Sequence, residues 1–174
     1  INEIHYDNDG LDSLEGVEIA GDAGIDLSCY DLVLYNGSGG ASYKTETLSG
    51  TLTNQACGYG TIWFPITSVQ NGSPDGIALY NTCSSTLVQF LSYEGTFTAT
   101  NGIASGISST DIGISEPSST VGGFSLQLTG SGTTYSDFSW SGIGQNTYNL
   151  VNTNQDFGTI SLLTSNDAFL CEGD

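Results

Sequence analysis

The segment Asp31-Leu32-Val33-Leu34-Tyr35-Asn36 decides the fold class of this chain. Its four central residues are continuously apolar, which is typical of a strand that is covered on both faces. Asn36-Gly37 follows at once, and both residue types accept the positive φ angles of a tight turn. The segment therefore predicts a central strand of a β-sheet that ends in a turn.

The same pattern continues through the rest of the chain. Short β-branched and aromatic runs alternate with clusters of Gly, Asn, Asp and Ser, and helical periodicity is almost absent. This pattern predicts an all-β sandwich. The predicted strands are Ile1–Tyr6, Gly16–Ala20, Asp31–Asn36, Ser42–Leu48, Gly60–Phe64, Gly76–Tyr80, Thr86–Ser92, Ser125–Leu128 and Asp137–Trp140.

The chain has 174 residues, which is enough for one substantial domain with its own core. We expect that domain to span residues 1–158 and residues 159–174 to form a C-terminal extension. Residues 94–124 are rich in Gly, Ser and Thr and have weak strand character. A loop this long in a compact domain is usually functional or packed on the sandwich.

The charge of the chain is strongly one-sided. Asp and Glu total 19, the only Lys or Arg residue is Lys44, and the formal net charge is −18. Direct binding to nucleic acid is not expected, because that affinity depends on basic residues that neutralise phosphates. The charge instead favours cations and keeps a protein soluble at high salt. No apolar run approaches the roughly 20 residues of a membrane span.

Four cysteines, at positions 29, 57, 83 and 171, lack the close spacing of a zinc site. Their even number predicts two disulfides and an oxidising compartment. We expect Cys57–Cys83 to close a hairpin-rich region and Cys29–Cys171 to hold the C-terminal extension. Unpaired buried thiols are the alternative.

The densest group of acids follows the first predicted strand. Asp7, Asp9, Asp12 and Glu15 surround Gly10, and a glycine here lets the loop turn tightly. Carboxylate oxygens are the ligands that Ca²⁺ prefers, so these four acids predict a Ca²⁺ site. The alternative is a solvated turn in which Asp and Asn side chains bond to their own backbone.

Catalytic patterns are weak in this sequence. His5 is the only imidazole, and no serine stands in a nucleophile-elbow motif. Metal-assisted phosphodiester hydrolysis would need cationic groups that the composition does not supply. We therefore expect a protein that is not an enzyme.

Several longer stretches occur together in a characteristic order. They are INEIHYDNDG at residues 1–10, DLVLYNGSGG at 31–40, QNGSPDGIAL at 70–79, VQFLSYEGTFTATNG at 88–102, SSTDIG at 108–113, FSLQLTGSGTTYSDFSW at 124–140 and VNTNQDFG at 151–158. This series resembles the lamin-tail domain of bacterial secreted proteins, which often precedes an extracellular nuclease. The resemblance covers Ile1 to about Gly158, and it implies an immunoglobulin-like sandwich with a non-catalytic role. No nuclease region follows in this chain, and the segment after Gly158 has no counterpart in the resemblance.

Two functions follow from these expectations. The first is an accessory module that binds or spaces a neighbouring domain of a secreted polypeptide. In some relatives, that polypeptide carries a nuclease domain elsewhere. The second is a cell-surface or extracellular assembly subunit of the adhesive or filament type, which self-associates through edge strands or through residues 94–124. Both place the protein outside the cell with a protein partner.

Overall fold

The chain folds into two β-sheets that pack face to face. The computed structural model describes residues 1–158, and the predicted extension 159–174, including Cys171, lies outside these residues. The strands are β1 (Glu3–His5), β2 (Gly16–Asp22), β3 (Tyr30–Asn36), β4 (Ala41–Thr47), β5 (Tyr59–Pro65), β6 (Asp75–Asn81), β7 (Thr86–Tyr93), β8 (Thr110–Asp111), β9 (Phe124–Gly132), β10 (Phe138–Gln145) and β11 (Gln155–Phe157).

The first sheet has the order β10-β9-β1-β2-β5, and β11 also pairs with β9. The second sheet has the order β4-β3-β6-β7-β8. Neighbouring strands are antiparallel except for the pairs β11–β9 and β7–β8, which are parallel. This arrangement confirms the all-β prediction, and the two sheets are consistent with a β-sandwich.

Alternating apolar residues of both sheets form the core between them. Ile4, Val17 and Leu126 come from the first sheet, and Leu34 and Ile77 come from the second. All five are almost fully buried. Because side chains alternate along a strand, the residues between them point to the outer faces of the sheets.

The outer face of the second sheet is covered by the start of the long loop. Val33 and Tyr35 of β3 pack there against Phe90, Ala99 and Ala104. The Tyr35 hydroxyl also accepts a hydrogen bond of 3.1 Å from the backbone N–H of Ala104. Both faces of β3 are therefore buried, as its continuous apolar run predicts.

The outer face of the first sheet is covered by residues 146–155, which we call the strap. Asn152 of the strap donates hydrogen bonds of 3.0 Å to the backbone oxygens of Asn2 and Leu128. Gln155 donates to the side chain of Asn2 at 2.6 Å. These bonds hold the strap across β1 and β9, so polar residues on this face lie inside the protein.

Cys29 and Cys83 form a disulfide, with Cα atoms 5.4 Å apart. The predicted pairs Cys57–Cys83 and Cys29–Cys171 are therefore wrong. Antiparallel pairing of β3 with β6 sets Tyr30 opposite Asn81, so Cys29 at the start of β3 lies near Cys83 just after β6. Because β4 and β5 separate these strands in sequence, linear spacing does not reveal that they are neighbours.

Each predicted strand coincides with an observed one. Most bounds agree within two residues, but β9 and β10 run four and five residues beyond their predicted C-terminal ends, and β1 is shorter than predicted. The sequence prediction missed β8 and β11, which are two and three residues long and pair in parallel. No helix in the described part of the chain is long and apolar enough to cross a membrane.

Candidate functional site

The four predicted Ca²⁺ ligands lie in the loop between β1 and β2, residues 6–15, which we call the acidic loop. Asp7 and Glu15, at its two ends, are buried at 9% and 8% exposure. Asp9 and Asp12, near its tip, are exposed. The loop turns at Gly10, whose φ of +87° lies in the left-handed region that favours glycine.

Asp12 links the two buried acids. Burial raises the pKa of Asp7, and the charge of the Asp12 carboxyl raises that pKa further. Burial likewise raises the pKa of Glu15, with Asp12 again adding to the rise. A positive charge on His5 acts in the opposite direction and lowers the pKa of both Asp7 and Glu15.

Of the two carboxylate oxygens of Glu15, one has a hydrogen-bond donor and the other is buried without one. Its Oε2 accepts a hydrogen bond of 2.8 Å from the backbone N–H of Ser68. Its Oε1 is buried without a hydrogen-bond partner, a condition shared among the described side chains only with Ser92 Oγ. The backbone N–H of Val69, next to Ser68, also acts on this carboxyl and lowers its pKa, although burial outweighs it.

Asp9 stands apart from the other candidate ligands. Its side chain is exposed, and its backbone N–H donates to the carbonyl of Thr120 at 2.8 Å. Asn8 supports the alternative of a local turn, because its Oδ1 accepts from the backbone N–H of Ser13 at 2.9 Å. Among residues 1–158, no three acidic, histidine or cysteine side chains converge closely enough to form a ready metal centre.

His5 is buried in an ion pair. Its Nδ1 lies 2.8 Å from Oε1 of Glu116, and neither side chain has exposed surface. Its Nε2 lies 3.0 Å from the backbone oxygen of Ser13. Because both ring nitrogens face acceptors, both must donate, which requires the imidazolium form.

The pKa of His5 reflects this enclosure. Burial by itself lowers that pKa, but the hydrogen bond and the charge of Glu116, together with Asn8 and Ser13, outweigh burial and raise it overall. Glu116 also accepts hydrogen bonds from the backbone N–H groups of Tyr6 and Asp7, at 2.6 and 3.0 Å. The His5–Glu116 pair therefore anchors residues 94–124 to β1. Protein atoms engage both the imidazole of His5 and the carboxylate of Glu116.

A second pair of acids lies beneath the strap. Glu3 and Glu18 face each other across β1 and β2, and neither has exposed surface. Burial raises the pKa of Glu18 to about 8, and the charge of Glu3 adds to this rise. Burial also raises the pKa of Glu3.

Strap residues and sheet residues supply donors to both of these acids. Glu3 accepts from the side chain of Ser125, and from Thr147 through both its backbone N–H (3.1 Å) and its hydroxyl (2.9 Å). Glu18 accepts from the side chain of Asn2 at 2.9 Å and from the backbone N–H of Asn149 at 2.7 Å. Each oxygen of these two carboxylates has a donor within the protein.

Aromatic stacking reinforces the strap. The rings of Trp63 and Tyr148 stack with centroids 3.6 Å apart, and Asn149 Oδ1 accepts a bond of 2.9 Å from the Trp63 backbone N–H. Trp63 therefore holds the strap against the first sheet.

The structure also contains a separate cleft of about 360 Å³. Its lining includes Tyr59, Leu79, Val88, Tyr135, Phe138 and Phe157.

Three buried acids have structural roles that the sequence did not signal. Glu3 and Glu18 alternate with apolar residues, and this pattern predicts that their side chains lie on the face of the sheet opposite the core. The pattern does not predict that the strap covers this face. Glu116 lies in the long loop, far in sequence from His5.

Comparisons of the chain with known family models, with curated proteins and with solved structures find no match.

Proposed function

We propose that this chain is a lamin-tail-type, immunoglobulin-like module of a secreted bacterial protein, and that it binds or spaces a neighbouring domain without catalysing a reaction. The observation that carries the non-catalytic part of this proposal is the state of His5. Its ring is fully buried, and acceptors on Glu116 and Ser13 engage both nitrogens. An imidazole held in this way stabilises the fold and has no free nitrogen with which to take a proton from a substrate.

The buried acids support the same proposal. Glu3 and Glu18 lie beneath the strap with donors on each oxygen, so they have no open path to a substrate. A pair of carboxylates that hydrolyses a sugar needs access to the bond between them. The described residues thus use their deepest acid groups to join segments of the chain.

A secreted setting is supported by the Cys29–Cys83 disulfide and by the acidic composition. Disulfides persist in oxidising compartments, and a net charge of −18 favours solubility in saline surroundings. The same charge opposes duplex binding by this chain alone. In a nuclease-bearing polypeptide, contact with DNA would therefore belong to another domain.

One observation favours the assembly subunit as a second candidate. Strand β10 pairs with β9 on one side, and no other described strand pairs with its opposite side. It spans Phe138–Gln145 without a charged residue. In contrast, edge strand β4 carries Lys44 and Glu46, and charges of that kind discourage pairing between chains.

The size of the natural product separates the two functions. Intact mass spectrometry of the extracellular fraction, after enrichment with an antibody against this domain, should find a polypeptide much larger than 18.1 kDa. A freestanding product near that mass, migrating as large assemblies in gel filtration, would support the assembly subunit instead.

An activity assay tests the non-catalytic part of the proposal. The purified chain should leave duplex and single-stranded DNA intact and unretarded on a native gel, with either Mg²⁺ or Ca²⁺ present. Cleavage that disappears on a single side-chain substitution would overturn the proposal.

A further inference from the structure

We propose that residues 159–171, which we call the tail, fold back over the cleft of about 360 Å³ and are fastened there by a disulfide between Cys57 and Cys171. The cleft is then the docking place of the chain's own tail and not an open ligand site. This inference does not depend on the module or assembly function, because it concerns a contact within one chain.

The cleft is an apolar surface that the described residues leave partly uncovered. Leu79 and Val88 contribute to its lining from the second sheet, and Leu128 and Phe138 contribute from the first. Val88 and Tyr135 both line it and are 47% and 44% exposed. Two exposed apolar side chains in one concave lining mark a surface that binds an apolar partner.

The described part of the chain ends at this cleft. Phe157, the last residue of β11, lines it. Gly158 follows, and its backbone N–H donates to the carbonyl of Gly132 at 3.4 Å, directly before the lining residue Thr133. The tail therefore begins at the rim of the cleft and needs no linker to reach it.

Cys57 supplies an anchor for the far end of the tail. It takes part in a disulfide, while Cys29 and Cys83 are bonded to each other. The one other cysteine of the chain is Cys171. A Cβ atom built on Gly158 would lie 3.3 Å from Cys57 Sγ, so Cys57 stands where the described chain ends. A bond to Cys171 returns the far end of the tail to the rim from which the tail started.

The amino-acid pattern of the tail fits this path. It consists of two apolar runs with a turn-forming stretch between them, namely residues 160–163 (ISLL), 168–170 (AFL) and 164–167 (TSND). Thr, Ser, Asn and Asp favour turns, so the chain reverses between the two runs. Ile160 and Leu162 lie on one side of an extended first run and Ser161 lies on the other, which lets both apolar side chains face the cleft.

The tail has an advantage over any separate occupant of the cleft. Because it is held at both ends, its effective concentration at the cleft is high without any further contact. A second copy of the chain carries the same net charge of −18, and repulsion between the copies opposes their association.

Peptide mapping under non-reducing conditions tests the anchor in the full chain. Cleavage after Asp and Glu places the four cysteines on separate fragments, which are residues 27–31, 47–75, 76–94 and 168–172. Fragment 47–75 should be bonded to fragment 168–172. A bond between two copies of fragment 47–75, or an unbonded Cys171, would overturn the proposal.

Two substitutions in the full chain test the docking. Leu162→Asp places a charge on the side of the tail that faces the cleft, and Ser161→Asp places the same charge on the opposite side. Leu162→Asp should lower the Tm by roughly 4 °C or more and raise the fluorescence of the apolar dye ANS, because the cleft opens. Ser161→Asp should change neither quantity.

Circular dichroism supplies the control for folding, since both variants should keep the β-sheet spectrum of the wild-type chain. Equal Tm values and equal ANS fluorescence in Leu162→Asp and Ser161→Asp would show that the tail does not dock through this face. That result would overturn the proposal even if the Cys57–Cys171 bond is found.

Discussion

Glu3 and Glu18 lie on neighbouring strands without exposed surface, whereas Asp7 and Asp12 lie in a loop whose tip is open to water. Each is a pair of acid groups in or near a low-dielectric interior. The pair under the strap receives donors from both the sheet and the strap. The acidic loop leaves Glu15 Oε1 without a donor.

The difference shows that burial alone does not determine what an acidic side chain does in the protein. Acids that are satisfied by protein donors join segments of the fold, and removing them should cost stability. Acids at an exposed loop tip can be hydrated by water, and removing one of them should cost little stability. The predictions below test this contrast from the most strongly satisfied group to the least.

The largest effect is expected at the Glu116–His5 pair. Glu116→Ala leaves a buried imidazolium without its counter-charge, so the free energy of unfolding should fall by about 3–5 kcal/mol. Urea unfolding at neutral pH measures this loss. The exposed pair between Lys44 and Glu46 provides the control, because Glu46→Ala should cost less than about 1 kcal/mol. Equal losses in the two variants would contradict a structural role for Glu116.

A smaller loss is expected when the strap loses one donor. Thr147→Val keeps the shape of the side chain but removes the hydroxyl that lies 2.9 Å from both Glu3 Oε2 and Asn152 Oδ1. The free energy of unfolding should fall by about 1–3 kcal/mol. Thr129→Val on the outer face of β9 is the matched control, since the Thr129 hydroxyl makes only an exposed bond of 3.5 Å.

The strap should also respond to pH through Glu18. Because burial raises the pKa of Glu18 from 4.5 to about 8, the folded state holds this proton more tightly than the unfolded state. Stability should therefore fall as pH rises from about 4.5 to about 8. The other titratable groups facing Glu18 are the Ile1 amino group, Glu3 and Tyr148.

Glu18→Gln isolates this contribution. The variant cannot ionise, so its stability should decline less steeply over the same range, and chemical denaturation at several pH values measures both slopes. His5 contributes in the same direction, because its raised pKa gives stability below its unfolded value that is lost as pH rises through the folded pKa. Identical slopes in the wild type and Glu18→Gln would contradict a buried, proton-binding Glu18.

The smallest effect is expected in the acidic loop without a cation. Asp12→Asn should leave the free energy of unfolding unchanged or raise it by about 0.5 kcal/mol in EDTA, since it removes a like charge. Asp9→Asn should stay within about 0.5 kcal/mol of the wild type. A clear loss of stability in Asp12→Asn would instead indicate that the Asp12 carboxylate is satisfied by protein donors.

Much of the fold could be predicted from local pattern. The apolar run Leu32–Tyr35 and the turn after it correctly indicate a strand covered on both faces, and the nine predicted strands occur where expected. Alternation also identifies which face Glu18 occupies. Local pattern does not show that the strap returns to cover that face, because its contacts span more than 130 residues.

The same limit explains the errors. Cys29 pairs with Cys83 because β3 and β6 are neighbours in the sheet, a fact of topology that spacing does not contain. Residues 6–15 could be identified as an acidic loop from composition. Composition does not show which of these acids the fold buries, namely Asp7 and Glu15 but not Asp9 or Asp12.

Urea unfolding of Glu116→Ala and Asp12→Asn side by side tests the contrast between acids held by protein donors and acids at an exposed loop tip most directly. We predict that the free energy of unfolding falls by about 3–5 kcal/mol in Glu116→Ala and changes by no more than about 0.5 kcal/mol in Asp12→Asn. Equal changes in the two variants would contradict the account.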